Sequence, residues 1–246
     1  MAYFNRNHFL DPPSGSKQSV TGLEQPYHID PNVATQYPGS IFTQGPNFKY
    51  VALTFDDAPD SLFAPIMLDI FSRYNIKVTF FCLGNCVHQN PDMLRRFATE
   101  GHIIGNHTYD HVDISKLSPE QVRSQVQRTA DEIYQNVGLK TALFRPPFGF
   151  LSDTSAQVII SMGYKIVMWN VDSYDWMGLT GPAIAGRVNA NVTPGSIVLM
   201  HNACAGTTEA GIGTTGSLPF IIETLKAQGY IFTTIPALLK IPAYNP

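Results

Sequence analysis

Two adjacent carboxylates, Asp56 and Asp57, follow the apolar run Val51–Phe55, which is rich in residues that favour β-strands. Such a strand brings both acids to one place, and Pro59 then ends it. Neighbouring carboxylates repel each other, so one of them would keep its proton unless a cation lies beside them. A metal ion bound to one Asp, with the other left free as a base, resolves this conflict.

His107 and His111 are four residues apart. On a helical turn this spacing places both imidazoles on one face, where both can reach one cation. The pair alone is weak support for a metal site, because it also occurs by chance on ordinary helices. Together with Asp57 it makes a set of two histidines and one carboxylate, which leaves coordination positions open for water and substrate. Open positions indicate a catalytic metal rather than a structural one.

Arg145 starts the segment Arg145–Gly149, in which two prolines fix the backbone. A rigid loop of this kind can present the Phe148 amide to a developing oxyanion, and Arg145 can pair with Asp56 to keep it ionised and oriented. The alternative interpretation is a rigid turn with a surface salt bridge.

Asp172 and Asp175 lie close to Trp176, at the end of another apolar run. Asp175 can orient a histidine and stabilise its cation, and Trp176 can wall an apolar pocket; the alternative is an acidic loop beside a core tryptophan. His201 ends the apolar run Ile197–Met200. A histidine at the end of an apolar strand is usually a core residue. If His201 lies at the same end of the barrel as the candidate metal ligands, however, it is interpreted as a general acid.

The elements that must position these side chains alternate regularly after residue 48. Strands are predicted at Tyr50–Phe55, Ile76–Cys82, His102–Gly105, Ala142–Phe144, Tyr164–Trp169, Ser196–Met200 and Tyr230–Thr233. Helices are predicted at Leu62–Tyr74, Asp92–Glu100, Pro119–Val137, Ser152–Met162, Pro182–Ala190 and Leu218–Gln228. This alternation indicates βα units around a parallel sheet. Because reactive side chains end many of the strands, they can converge only if the strands close around an axis, which predicts an irregular barrel of about seven strands.

The composition of the chain limits its expected partners, membrane association and cysteine pairing. The 246 residues are 44% hydrophobic and 14% charged, with a net charge of −3 and no basic cluster, so nucleic acid is not an expected partner. No apolar run approaches the roughly 18 residues needed to span a bilayer. Residues 1–46 are predicted to be an extension or linker, and residues 47–246 the functional domain. The three cysteines are not expected to form a disulfide framework, and Cys82 is interpreted as a small buried hydrophobe.

Five motifs in order resemble those of the polysaccharide deacetylases of carbohydrate esterase family 4, also called NodB-homology proteins. The resemblance covers roughly residues 48–236 and rests on these segments: Thr54-Phe55-Asp56-Asp57, His107-Thr108-x-x-His111, Arg145-Pro146-Pro147-Phe148, Asp172-x-x-Asp175-Trp176 and Leu199-Met200-His201. It implies an α/β fold, a distorted (β/α)7-type barrel, in which residues 47–246 form the deacetylase domain.

The resemblance also implies roles. Asp57, His107 and His111 would hold zinc, or another divalent transition metal such as cobalt or nickel. Asp56 would be the base assisted by Arg145, and His201 the acid assisted by Asp175. Trp176 and Leu199 would line the slot for the acetyl methyl group, and the Phe148 amide would hold the oxyanion. Independently of the resemblance, several aromatic side chains are suited to stacking on the sugar rings of a substrate: Tyr109, Phe148, Phe150, Tyr174 and Trp176. The implied reaction is removal of acetyl groups from a glycan, most simply the N-acetyl groups of chitin, chito-oligosaccharides or peptidoglycan.

Two positions depart from the family pattern. Ala58 stands where the family usually has Gly, which would cost about 1 kcal/mol of strain if this position requires a positive φ. Cys204 lies three residues after the proposed acid, where a thiol could approach the metal, although thiolate ligation would close the open site.

Other functions remain as alternatives. The same site could serve an acetylxylan esterase, a catalytically impaired carbohydrate-binding homologue, or a hydrolase of non-sugar amides or cyclic imides. We expect an acetylated glycan as the partner, no nucleic acid, no membrane span and, by default, a monomer. Because such glycans are mostly extracellular, we expect the protein to act outside the cell or at its surface.

Overall fold

A computed structural model describes residues 35–204, 206 and 208–246 of the chain. Its strands are β1 (Ile41–Phe42), β2 (Tyr50–Ala58), β3 (Thr79–Cys82), β4 (Ile103–Asn106), β5 (Leu143–Phe144), β6 (Lys165–Val167), β7 (Val171–Asp172), β8 (Ser196–His201) and β9 (Ile231–Phe232). Its helices are α1 (Ala64–Tyr74), α2 (Gly84–Gln89), α3 (Pro91–Thr99), α4 (Pro119–Val137), α5 (Asp153–Ser161), α6 (Gly181–Asn191), α7 (Thr208–Ala227) and α8 (Ile235–Leu239), with 3-10 turns at Ile114–Lys116, Pro147–Gly149 and Asp175–Met177.

The strands form one parallel sheet in the order β1-β6-β5-β4-β3-β2-β8-β7, and β9 pairs with the first residues of β2. Although β6 and β7 lie near opposite ends of this order, only residues 168–170 separate them along the chain. This short connection holds the two edges of the curled sheet together, and the result is the distorted barrel that the alternation of elements predicts.

Alternation along the central strands decides which side chains enter the barrel. In β2, Val51, Leu53 and Phe55 pack into the hydrophobic cluster that also holds residues of α1 and α7. Ala52 belongs to the other cluster, together with Ile197 and Leu199 of β8. Because side chains alternate with a period of two, Thr54 and Asp56 share the face of Ala52, and His201 shares the face of Leu199. The inner face is thus apolar at its base and polar at the carboxyl ends of the strands.

All seven predicted strands and all six predicted helices are present, most with ends shifted by one to three residues. The capping box at the start of α4 is confirmed, because Ser118 and Gln121 exchange the two hydrogen bonds that define it. The strands β1 and β7 and the helices α2 and α8 were not predicted, since each is only two to six residues long. Strand β1 pairs with β6 although it lies within the stretch predicted as an extension.

Helix α7 differs most from its predicted bounds, because it begins at Thr208 whereas the predicted helix begins at Leu218. Its first half is rich in glycine, which disfavours helices. Here the glycines permit close packing: a Cβ on Gly213 would lie 2.2 Å from the Leu179 carbonyl oxygen, and one on Gly211 would lie 2.3 Å from the Phe63 ring. Tertiary contact therefore outweighs a weak local preference for helix.

The expectation of no disulfide framework is wrong for one pair of cysteines. Cys86 of α2 is bonded to Cys204, which follows β8. The pairing joins residues 118 positions apart, so spacing in the sequence does not reveal it. Cys82 is free and fully buried, as expected of a small hydrophobe, and burial raises the pKa of its thiol. Among the described residues, no helix combines the length and apolarity required to cross a bilayer.

Candidate active site

A β-bulge in β2 turns both carboxylates toward the same pocket. Phe55 pairs with Phe80 and Ala58 with Cys82, so Asp56 and Asp57 oppose a single residue of β3. Regular alternation would point the two acids to opposite faces of the sheet. Asp57 instead has a φ of 59°, and both acids line one pocket.

This bulge also answers the question raised by Ala58. The positive φ belongs to Asp57, and Ala58 does not have one. Ala58 is fully buried in the cluster that packs against α1. The strain considered for alanine at this position is therefore absent.

The helical turn predicted for the two histidines is wrong. β4 ends at Asn106, and residues 107–113 form a loop in which Thr108 and His111 both have positive φ angles. This loop is held by α4, whose Gln125 side-chain oxygen accepts hydrogen bonds from the amides of Tyr109 and Asp110, at 3.0 Å each. The two imidazoles nevertheless converge, with ring centroids 5.2 Å apart.

Asp57, His107 and His111 form a set suited to a cation. Their ligand atoms all lie within 4.8 Å of one another. The Nε2 atoms of His107 and His111 are 3.7 and 3.4 Å from Asp57 Oδ1, and this buried oxygen has no hydrogen-bond partner. A buried, unpartnered carboxylate oxygen is costly unless a cation satisfies it.

His107 is also oriented for this role. Its Nδ1–H donates to the Arg145 carbonyl oxygen at 2.7 Å, which orients the ring so that Nε2 faces Asp57. Burial lowers the pKa of His111, which favours the neutral, ligating form of its imidazole. The residues present therefore fit a divalent metal ion.

The expected pairing of Arg145 with Asp56 is present. The Arg145 guanidinium is fully buried, and Nη1 donates to Asp56 Oδ1 at 2.9 Å and to Thr54 Oγ1 at 2.7 Å. Nε and Nη2 donate to the carbonyl oxygens of Val167 and Met168. Burial lowers the pKa of Arg145, which the ion pair with Asp56 opposes. One oxygen of Asp56 is thus anchored, while the other lies 3.6 Å from His107 Nε2.

His201, which is partly buried, forms a second pair with the fully buried Asp175 on the other side of the pocket. The His201 Nδ1–H donates to Asp175 Oδ1 at 2.8 Å, and the His201 backbone amide donates to Oδ2 at 2.8 Å. The Thr214 hydroxyl donates to the same Oδ2 at 2.7 Å. Burial lowers the pKa of His201, but the Asp175 carboxylate outweighs it and raises the pKa to about 10. His201 is therefore held as a cation, with Nε2 left for another partner.

The pocket between these groups has a volume of about 290 Å³. Asp56, Asp57, His107, His111, Phe148, Trp176, Leu199 and His201 all line it. Tyr174 does not line it: the residue is only 2% exposed, and its ring packs edge-on against Trp176 and lies against the Arg187 guanidinium. It is therefore not placed to contact a substrate directly.

Sequence reasoning missed some of the lining residues. Trp169, Ala203, Gly206, Ala210 and Gly211 also form the wall. Trp169 ends a predicted strand run, a position that signals a residue at the active end of the barrel. Ala203 and Gly206 lie in the loop after β8, whereas Ala210, Gly211 and Thr214, whose hydroxyl donates to Asp175, belong to α7. The sequence has no local signal for where this loop and the start of α7 pack. Cys204 is held in its disulfide and is not a candidate metal ligand.

Comparison with known proteins agrees with this architecture. The profile of the family described as polysaccharide deacetylase matches residues 43–167. A peptidoglycan-N-acetylglucosamine deacetylase of Bacillus cereus is 36% identical over 194 residues, 79% of this chain and 70% of the relative.

Two crystal structures extend the comparison. The Bc1960 peptidoglycan N-acetylglucosamine deacetylase in complex with 4-naphthalen-1-yl-N-oxidanyl-benzamide superposes with a TM-score of 0.81 at 35% identity, covering 84% of this chain and 95% of that one. A wild-type pseudoenzyme of carbohydrate esterase family 4 from Bacillus anthracis superposes with a TM-score of 0.75 at 31% identity, covering 83% and 70%. Together, the profile match, the shared fold and the sequence identity show that this chain belongs to the polysaccharide deacetylase family, carbohydrate esterase family 4.

Proposed function

We propose that the protein hydrolyses the N-acetyl groups of a glycan containing N-acetylglucosamine, with zinc held by Asp57, His107 and His111. The observation that supports this most directly is the unpartnered, buried Asp57 Oδ1 facing two imidazole nitrogens. A candidate base and a candidate acid lie on either side of the same pocket. The substrate class is supported by the relatives named as peptidoglycan N-acetylglucosamine deacetylases.

Two imidazole nitrogens and one carboxylate oxygen are a ligand set typical of catalytic zinc, and cobalt or nickel would also fit it. When bound, such an ion supplies a water molecule of lowered pKa and polarises the acetyl carbonyl. The protein's own part is to hold the three ligand atoms in place. The hydrogen bond from His107 Nδ1 to the Arg145 carbonyl fixes one imidazole for that purpose.

Asp56 is the proposed general base. Its Oδ1 is anchored by Arg145, so Oδ2 is the oxygen that can accept a proton from the attacking water. The buried guanidinium donates a hydrogen bond to Oδ1 and fixes the orientation of the carboxyl group. Arg145 therefore acts through Asp56 and serves as a positioning residue.

His201 is the proposed general acid. Its Nδ1–H is committed to Asp175, so Nε2–H is left to protonate the departing nitrogen as the C–N bond breaks. Acetate and the free amine of the sugar are then the products. Asp175 orients the ring and stabilises its charged form, which keeps a proton on His201 at neutral pH.

The walls of the pocket suit an acetyl group. Leu199 and Trp176 supply apolar surface for the methyl group. Phe148 has a φ of 59°, a backbone conformation that is strained for a non-glycine residue and is often found at functional sites. We assign its amide to the oxyanion that forms when water attacks the acetyl carbon.

The test is acetate release from chito-oligosaccharides, peptidoglycan fragments and acetylated xylan, measured after chelation and again after zinc is added back. Zinc-dependent release from the substrates with N-acetylglucosamine is expected. Release from acetylated xylan alone would replace the amide substrate with an ester. No release from any of them by a zinc-loaded protein would contradict the proposal and favour a glycan-binding homologue.

We also propose that the protein acts outside the cytoplasm. Disulfide bonds persist mainly in oxidising compartments, and the bond between Cys86 and Cys204 supports such a location. The polymeric glycans proposed as substrates agree with it. Fractionation of the native host should find the protein in the medium or on the cell surface, and recovery with reduced cysteines from the cytosol would contradict this.

A further inference from the structure

Thr214 places a fully buried hydroxyl group in the glycine-rich first half of α7. Its Oγ1 lies 2.7 Å from Asp175 Oδ2 and 2.9 Å from the Ala210 carbonyl oxygen. A buried threonine in a helix is commonly satisfied by the carbonyl oxygen four residues earlier, so the Ala210 carbonyl alone would be sufficient. The contact with Asp175 is shorter and has a charged acceptor, and a hydroxyl group has only one proton to donate. The Thr214 proton is therefore assigned to Asp175.

The neighbouring hydroxyl groups of α7 bond within their own helix. Thr215 Oγ1 donates to the Gly211 carbonyl oxygen at 2.8 Å, and Ser217 Oγ donates to the Thr214 carbonyl oxygen at 2.7 Å. Such bonds are the usual arrangement for threonine and serine inside a helix. Thr214 differs from them because its hydroxyl group connects α7 to the 3-10 turn that begins at Asp175.

The Asp175 carboxylate, which is fully buried, accepts three hydrogen bonds. Two of them come from His201, through Nδ1–H and through the backbone amide. The third comes from Thr214, which belongs to a different element, so it fixes the plane of the carboxylate independently of the imidazole. Burial raises the pKa of Asp175, but the His201 cation and the hydrogen bonds from His201 and Thr214 outweigh burial and lower the pKa below its ordinary value.

Glycines of α6 and α7 allow Thr214 to lie this close to Asp175. A Cβ on Gly213 would lie 2.2 Å from a backbone carbonyl oxygen of the segment before α6. A Cβ on Gly181, at the start of α6, would lie 2.7 Å from the Gly216 carbonyl carbon. Glycine inside a helix weakens it, so glycines on both sides of Thr214 indicate that close packing at this point outweighs helix preference. This packing is what brings the hydroxyl group of Thr214 to the carboxylate.

We propose that Thr214 is a positioning residue for the acid of the reaction: its hydroxyl group holds the Asp175 carboxylate in the orientation that directs His201 Nε2 at the departing nitrogen. This inference rests on the proposed function and extends it to α7. Thr214 does not line the pocket, so it acts through Asp175 and His201 and touches no reacting atom. A small error in the direction of the imidazole slows proton transfer and leaves the substrate contacts in place. Loss of the hydroxyl group should therefore lower kcat rather than raise KM.

The experiment compares zinc-loaded Thr214→Val, Thr214→Ser and Thr215→Val on the glycan that the unaltered protein deacetylates fastest. Valine keeps the shape of threonine without the hydroxyl group, so kcat should fall about tenfold while KM changes by less than about twofold. Serine keeps the hydroxyl group and should restore most of kcat. Thr215→Val removes a hydroxyl group that donates within α7, and it should behave as the unaltered protein.

The controls separate the hydrogen bond from the packing of α7. A loss of kcat that serine does not restore, or an equal loss in Thr215→Val, would show that packing is responsible and would overturn the inference. Unchanged kcat in Thr214→Val would overturn it as well. Thr214→Ala replaces the valine variant in every comparison if valine prevents folding.

A second measurement does not depend on turnover. The proton of an imidazole N–H that donates to a buried carboxylate gives an NMR signal at unusually low field, and His201→Gln identifies this signal by its loss. In Thr214→Val the signal should move to higher field or broaden through exchange with water, whereas in Thr214→Ser and Thr215→Val it should stay in place. An unchanged signal in Thr214→Val would contradict the inference. If the unaltered protein releases no acetate from any glycan, the proposed function fails, and this signal still decides whether Thr214 orients the pair.

Discussion

At the scale of single residues, the site depends on the different environments of two adjacent aspartates. Asp56 is anchored at 2.9 Å by a fully buried arginine, whereas Asp57 keeps a buried oxygen without a hydrogen-bond donor. The first environment fixes the orientation of a carboxyl group whose other oxygen can accept a proton, and the second favours ligation of a cation. The different roles that we propose for them therefore rest on their surroundings, because the side chains are chemically identical.

Asp56→Asn tests the first of these roles. The amide cannot accept the proton, so kcat should fall by about 10²–10⁴-fold, the usual contribution of a general base. Because Asp57, His107 and His111 are untouched, zinc content measured by mass spectrometry should stay the same. Near-normal activity with full metal occupancy would remove Asp56 as the base.

The pH dependence of activity tests the Asp175–His201 pair. Burial lowers the pKa of His201 and Asp175 raises it to about 10, so the catalytic proton is lost only as the pH rises toward that value. A divalent cation at Asp57 repels the imidazolium, so the alkaline limit of activity in the loaded protein should fall between about 6.5 and 10. Asp175→Asn removes the opposing carboxylate and should move this limit to lower pH.

The matched control is Asp172→Asn, which removes another buried carboxylate but not the hydrogen bond to His201 Nδ1. It should shift the limit much less. The ion pair between His201 and Asp175 also contributes to the free energy of unfolding, because the pKa of His201 is higher in the folded protein than in the unfolded chain. This contribution is fully present below about pH 6.5 and is lost as the pH rises through about 10. An alkaline limit that is identical in Asp175→Asn and unaltered protein would contradict the assignment of His201.

At the scale of elements, the loop after β8 is fastened at several points. The amides of Asn202 and Cys204 donate to the carbonyl oxygens of Asp56 and Asp57, at 2.7 and 3.3 Å. The Asn202 side-chain oxygen accepts a hydrogen bond from the Asp60 amide at 2.8 Å. The disulfide to Cys86 then ties the loop to α2. This loop contributes Ala203 and Gly206 to the pocket wall, so its fastening also shapes the site.

Removing the disulfide tests this fastening. Replacing Cys86 and Cys204 together by serine should cost about 2–4 kcal/mol of unfolding free energy, because the bond constrains an unfolded loop of more than 100 residues. For a chain of this size the expected fall in Tm is on the order of 4–16 °C. Dithiothreitol should lower the Tm of the unaltered protein and leave that of the double variant unchanged. Equal melting of both proteins without reductant would show that the bond does not contribute to stability.

At the scale of the whole molecule, the site exists because the sheet curls. Its residues come from β2, the loop after β4, the turn after β5, the turn after β7 and the end of β8. In a parallel barrel these carboxyl ends face one another across the axis. A cation bound at this convergence would link distant parts of the chain, so we expect metal binding to increase folding stability.

Metal titration tests this coupling. At a free zinc concentration of 100 times Kd, the folded state should gain about 2.7 kcal/mol, which calorimetry detects as a higher Tm, and a chelator should reverse the gain. His107→Ala removes a proposed ligand and should abolish most of the shift. His88→Ala removes a surface histidine paired with Glu132 and should leave the shift intact. A full zinc-dependent shift in His107→Ala would contradict the ligand assignment.

The amino-acid sequence by itself was sufficient for the class of fold and for most of the site. Apolar runs, capping residues and helix-ending glycines act locally, so they located the seven principal strands and six principal helices. Motif residues such as Asp56, His107 and His201 lie at or just after the carboxyl ends of strands, and parallel strands bring these ends together, so their convergence was also predictable.

Only the tertiary structure decided the features that depend on contacts between distant residues. The bulge that turns Asp57 into the pocket arises from pairing with β3, and the loop that joins His107 to His111 is held by α4 rather than by its own helical preference. The Cys86–Cys204 bond, the glycine-rich start of α7 and the burial of Tyr174 are likewise set by packing. Local sequence patterns report the preferences of neighbouring residues, whereas these features follow from partners far away along the chain, and the positions of those partners are known only once the chain has folded.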